Sequence, residues 1–139
     1  SSGGLVGVMT DHGRVLSKSR GEGFAARSWL ENDGDAATQQ IAFERDGFRG
    51  VKGQLEVDLS GVSLTHLTGR GAEDRLASAC ASADLVVLSA WRDGPVPKGC
   101  TLLDRKALVK SGAVAVRLEP GGWSIDPSRP VHQLRLWTR

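Results

Sequence analysis

The three histidines, His12, His66 and His132, stand far apart in the chain. A hydrolytic site of the two-metal kind draws several His and Asp ligands from one short loop. Thr65-His66-Leu67-Thr68 has no second His or Asp close behind it, so His66 reads as a partly buried strand residue rather than a metal ligand. Asn32-Asp33-Gly34-Asp35 brings two carboxylates together but lacks the ligand series of a calcium loop, including its closing Glu. Two helix boundaries account for it, with Asp35 as the N-cap of the second helix. No Ser, Cys or Lys nucleophile comes with a partner, because each His stands far from any plausible elbow. The residues do not indicate an enzyme; a divergent metal site combining His66 with Asp33 or Asp35 is the alternative chemistry.

Gly69-Arg70-Gly71 matches neither the dinucleotide fingerprint nor the P-loop. Lying between a strand and a helix, it presents Arg70 where an anion could meet a helix N-terminus. With Lys18, Arg20 and Arg27 it would form a basic rim near the sheet ends, where ligands of α/β folds bind. A solvated loop is the plainer reading. Cys80 and Cys100 are either two reduced thiols in a core or a disulfide formed in an oxidising compartment. Such a bridge, closing about 20 residues, would stabilise the fold by roughly 3 kcal/mol in the chain-entropy account. The residues alone leave both states open.

These groups sit in a chain of 139 residues, 40% hydrophobic and 24% charged, which suits one soluble domain spanning residues 1–139. The 18 basic and 16 acidic residues give a formal charge of +2, too small to argue nucleic-acid binding from net charge. Four Trp, three Phe and no Tyr make stacking platforms scarce. No stretch approaches the roughly 20 consecutive apolar residues of a membrane span. The chain opens Ser-Ser-Gly-Gly without an initiator methionine and is read as a fragment or processed form.

Hydrophobic patterning predicts the elements. Residues 5–9 and 14–18 read as a hairpin around Thr10-Asp11-His12-Gly13. Residues 24–31 read as a helix directing Trp29 and Leu30 to a core, and 36–45 as a second, anchored by Ala37 and Ile41. Residues 45–53 read as a loop. Residues 54–59 and 62–68 alternate as strands about Ser60-Gly61. Residues 72–82 form a helix leading to a buried strand at 85–88, a candidate crossover between parallel neighbours. A short extended run covers 101–103, and Asp104 caps a helix over 105–111. Residues 113–118 are a buried strand, followed by a Pro120-Gly121-Gly122 turn into 123–125. The class is α/β, a mixed sheet flanked by helices.

Three phrases together resemble the soluble carboxy-terminal domain of ComEC-type competence proteins, in their alphaproteobacterial form. They are LVGVMTDHGRVLSKSRGEGFAARSWLENDGD, CASADLVVLSAWRDGPVPKGCTLLDRKALVKSGAVAV and the terminal LRLWTR. The first is similar to that family's hairpin, glycine and helix with a Trp-Leu pair, here Trp29-Leu30, before Gly34-Asp35. The second is similar to its cysteine, Ala-Asp (Asp84), strand, proline-rich loop, cysteine and Leu-Asp-Arg (Asp104) series. The match is weakest over residues 43–60.

ComEC proteins form the inner-membrane channel that admits single-stranded DNA in natural transformation, and many end in a metallo-β-lactamase-like domain thought to degrade one strand. The resemblance therefore implies a degenerate half of that sandwich, attached to a transmembrane channel and facing the periplasm. It also implies a disulfide between Cys80 and Cys100. The family's His-rich metal motif is absent, so the nuclease inference does not carry over. The expected role is non-catalytic, assisting assembly or guiding single-stranded DNA, with no cofactor. A divergent metal-dependent nuclease and a purely structural interaction module are the alternatives.

Overall fold

The computed structural model describes residues 4–90, 97–104 and 113–125. Among the described residues, nine strands form two sheets. The first has the order β2 (Gly13–Leu16), β1 (Leu5–Thr10), β8 (Ala113–Glu119), β9 (Gly122–Ile125). The second runs β3 (Arg49–Val51), β4 (Gln54–Leu59), β5 (Val62–Leu67), β6 (Leu85–Leu88), β7 (Thr101–Leu103). Both are mixed: β1 pairs with β8 and β6 with both its neighbours in parallel, and the remaining pairs are antiparallel hairpins. The α/β class is as the patterning predicts. The two apolar runs, however, are divided: β6 lies in the second sheet and β8 in the first.

Alternation along the strands explains why two sheets suffice for three cores. Val6 and Val8 of β1 and Val114, Val116 and Leu118 of β8 point to one side. There they meet Val57, Val62, Leu64, Leu85 and Val87 of the second sheet, so the sheets pack face to face. The opposite side of the first sheet, with Leu5, Leu16, Ala113 and Ala115, is covered by Ala26, Trp29 and Leu30 of α1 (Gly23–Asn32) and Ala42 of α2 (Gln39–Glu44). The opposite side of the second, with Leu67, Val86 and Leu88, is covered by α3 (Leu76–Ser82). The layers are helix, sheet, sheet, helix. Burial of each large aliphatic side chain here contributes about 1.5–3 kcal/mol, and trimming the fully buried Leu64 to Ala would cost about 2–5 kcal/mol.

Trp29 is the largest side chain of the cluster on the outer face of the first sheet. Gly7 leaves room for Trp29; a Cβ there would lie 2.7 Å from the ring. The Arg14 guanidinium sits over that ring at 5.6 Å and is wholly buried. Arg14 Nε and Nη2 donate to Asp33 at 2.7 and 2.8 Å, tying β2 to the end of α1. That end is a Schellman arrangement: Asp35 N–H donates to Leu30 O and Gly34 N–H to Glu31 O, with Gly34 left-handed.

Several expectations need correction. Asp35 does not cap α2. It accepts from Ala37 N–H at 3.0 Å and takes both terminal nitrogens of Arg45, at 2.7 and 2.9 Å. That turn unwinds residues 36–38, so Thr38 becomes the cap, its hydroxyl accepting from Ile41 N–H. The shorter helix buries Ala42 and leaves the expected anchor Ile41 52% exposed. Residues 49–51, expected in a loop, form β3. All three are exposed and Gly50 breaks the pattern, so only pairing with β4 through the Lys52-Gly53 turn defines the strand. The helix after β5 begins with a 3₁₀ turn at Glu73–Arg75 and becomes α-helical only at Leu76. The helix expected over 105–111 and the tail beyond 125, His132 included, lie outside the described residues.

Cys80 of α3 and Cys100, just before β7, form a disulfide with Cα atoms 5.0 Å apart. It staples the covering helix to the loop that enters the sheet. Asp84 holds the same end of the sheet: its carboxylate accepts from Ser63 N–H at 2.9 Å, and its carbonyl accepts from Thr101 N–H at 2.9 Å.

Candidate anion-binding cavity

Val62, Leu64 and His66 share the inward face of β5, and His66 falls just past the apolar core. There the space between the layers opens into a cavity of about 990 Å³. Leu55, opposite His66 in register on β4, lines it, as does Ser89, the residue after β6. Ser89 Oγ lies 2.9 Å from His66 Nε2, and Ser89 N–H extends the parallel ladder to Leu67 O. Both residues are buried, at 2% and 8% exposure.

Three loops complete the wall. Residues 17–20 follow β2 and supply Lys18 and Arg20. Their path is fixed by Ser17, which donates N–H to Val6 O and accepts from Val6 N–H at its hydroxyl. Gln39 Nε2 also holds this segment, donating to Gly21 O and Lys18 O. Thr68, Gly69 and Arg70 follow β5, pinned by Arg75, which donates to Thr68 O and Gly71 O. Gly50 of β3 and the Lys52-Gly53 turn add to it, joined to the second loop where Thr68 N–H donates to Gly53 O. Phe43 of α2 contributes the aromatic ring.

The electrostatics are one-sided. Lys18, Arg20, Lys52 and Arg70 line the cavity, and among its described lining residues there is no carboxylate. Burial, reinforced by the charge of Lys18, pushes the His66 imidazole down to about 3, so it is neutral at pH 7. Lys18 is half-buried, and desolvation holds it below the ordinary lysine range against the opposing pull of Glu22. So weakly basic an imidazole makes a poor acceptor for a serine proton. The arrangement suits holding an anion against a neutral polar floor better than it suits proton transfer.

Of the four cations singled out in the sequence, the fold brings Lys18, Arg20 and Arg70 together. Arg27 does not join them; it is exposed on α1 and absent from the lining. Arg70 lies in the loop before a 3₁₀ turn that opens with Glu73 and Asp74, not at the terminus of an α-helix. Asp33 and Asp35 are engaged by Arg14 and Arg45 and do not line the cavity with His66. The described residues contain no cluster of three or more His, Cys, Asp or Glu able to hold a metal. Trp29 and Leu30 are core residues of the first sheet, and Gly34, Asp35 and Asp84 are structural. Asp104 lies just beyond β7.

Lys52, Ser89 and Phe43 escaped the sequence reading, and so did the His66–Ser89 contact. The inward parity of Val62 and Leu64 was the signal available for His66. No helix among the described residues is long and apolar enough to cross a membrane. Comparison with protein-family models, curated proteins and solved structures finds no match to this chain.

Proposed function

We propose that this chain is the non-catalytic soluble domain of a ComEC-type DNA-uptake channel and that its basic cavity guides single-stranded DNA. The observation that carries this is the convergence of Lys18, Arg20, Lys52 and Arg70 on one cavity with no described carboxylate among them. A chain of near-neutral net charge places four of its 18 basic residues in one cavity, which supports a phosphate-bearing partner. The helix–sheet–sheet–helix layering supports the resemblance to a metallo-β-lactamase-like sandwich. The Cys80–Cys100 bridge supports exposure to an oxidising compartment such as the periplasm. The other partner in this proposal is the transmembrane channel portion of the same protein.

The test is titration of fluorescent single-stranded DNA into the purified chain at low and near-physiological salt, with and without Mn²⁺ or Zn²⁺. Saturable binding that weakens steeply with salt is expected, with the DNA left intact. No binding at low salt would overturn the guiding role and leave channel assembly as the domain's part. Shortening of the DNA would replace the proposal with a nuclease.

A further inference from the structure

We infer that the cavity seats a single nucleotide unit of the DNA strand, its phosphate among Lys18, Arg20, Lys52 and Arg70 and its base against the ring of Phe43. This deepens the strand-guiding role proposed above and rests on it. A bare phosphate needs cations alone, yet the lining also carries Phe43 and Leu55. Phe43 sits next to the buried Ala42 on α2 but is itself 37% exposed, so a flat apolar surface remains to be covered. Every base has a π-face, which makes stacking on such a ring tolerant of sequence. The volume, about 990 Å³, lies at the upper end of small-molecule sites and far exceeds what a phosphate fills. The His66–Ser89 pair adds neutral hydrogen-bonding groups that can meet a base edge without competing for the phosphate.

The experiment is calorimetric titration of the chain with thymidine 5′-monophosphate, with 2-deoxyribose 5-phosphate and with inorganic phosphate. The nucleotide is expected to bind about tenfold more tightly than the sugar phosphate, in line with the measured worth of one stacked base. Phe43→Leu, a change at an exposed position, should erase most of that difference and leave the sugar-phosphate affinity within about twofold. Equal affinity for nucleotide and sugar phosphate would overturn the inference, as would a Phe43→Leu variant that keeps the difference. Oligo(dT) of about 20 nucleotides, run in parallel, separates the two levels of the proposal. Salt-sensitive oligo(dT) binding without nucleotide binding would sink the nucleotide seat alone, and loss of both would sink the guiding role as well.

Discussion

His66 Nε2 lies 2.9 Å from Ser89 Oγ, a contact that joins two parallel strands at their carboxy ends and forms the floor of the basic cavity. The imidazole is held neutral there, and this has a consequence for stability. Its pKa falls from the ordinary 6.5 to about 3 on folding. Between those values the unfolded chain binds the proton and the folded chain does not. Stability from this group is therefore complete above pH 6.5 and is lost progressively as the pH drops toward 3. The slope approaches that of one proton, about 1.4 kcal/mol per pH unit. Urea unfolding of the wild type and His66→Gln from pH 4.5 to 7.5 should show a flatter dependence in the variant; parallel curves would contradict the assignment.

Lys18 gives a second pH dependence, in binding. Its pKa is lowered, so it loses its charge at a lower pH than an ordinary lysine. Phosphate-group affinity should fall as pH rises from 7 toward 10, and Lys18→Arg should hold it nearly constant, since arginine stays charged. Glu22 opposes the shift, and Arg20, Lys52 and Arg70 share the cavity with Lys18. An identical decline in Lys18→Arg would assign the effect elsewhere.

Asp33→Ala leaves the Arg14 guanidinium buried without its bidentate carboxylate. A loss of about 3 kcal/mol is expected in chemical denaturation. Replacing both residues, Arg14→Met with Asp33→Ala, should cost less than the single change, because no buried guanidinium is then left short of its bidentate carboxylate. A single variant within about 0.5 kcal/mol of wild type would show that solvent reaches Arg14.

Gly7→Ala places a methyl 2.7 Å from the Trp29 ring and 3.2 Å from Arg14 Cδ. Overpacking should cost about 1–3 kcal/mol and disturb the Trp29 fluorescence environment. An unchanged midpoint of unfolding would mean the ring can shift.

Breaking the Cys80–Cys100 bridge frees a loop of sequence separation 20 and should cost roughly 3 kcal/mol. Cys80→Ala with Cys100→Ala, compared with wild type with and without reductant, measures it. A wild type insensitive to reductant and equal to the double variant would contradict a stabilising role.

The strands were legible because their alternation or continuous apolarity survives in the sequence: 54–59, 62–67, 85–88 and 113–118 all fall on strands. The second helix was misjudged because Asp35 has two possible partners, a helix N-terminus or Arg45, and only the folded chain brings Arg45 within 2.7 Å. Strand β3 was invisible because its three exposed residues, Gly50 among them, leave no period to read. The cavity was half legible. Cations at turn positions 18, 20 and 70 suggested a rim, but Arg27 shows that helix position alone does not decide which end of the sandwich a side chain reaches. His66 and Ser89 are 23 residues apart, and their contact depends on parallel register, which local sequence does not encode.

The central claim is that Lys18, Arg20 and Arg70 act together on a DNA strand, and the salt dependence of oligo(dT) binding tests it most directly. For single strands each phosphate contact contributes about 0.7 to the slope of log affinity against log salt. The triple variant Lys18→Gln, Arg20→Gln, Arg70→Gln should bind more weakly and lower that slope by about 2, while Arg27→Gln should match the wild type. Equal slopes for the triple variant and the wild type would contradict the account, whatever the affinity.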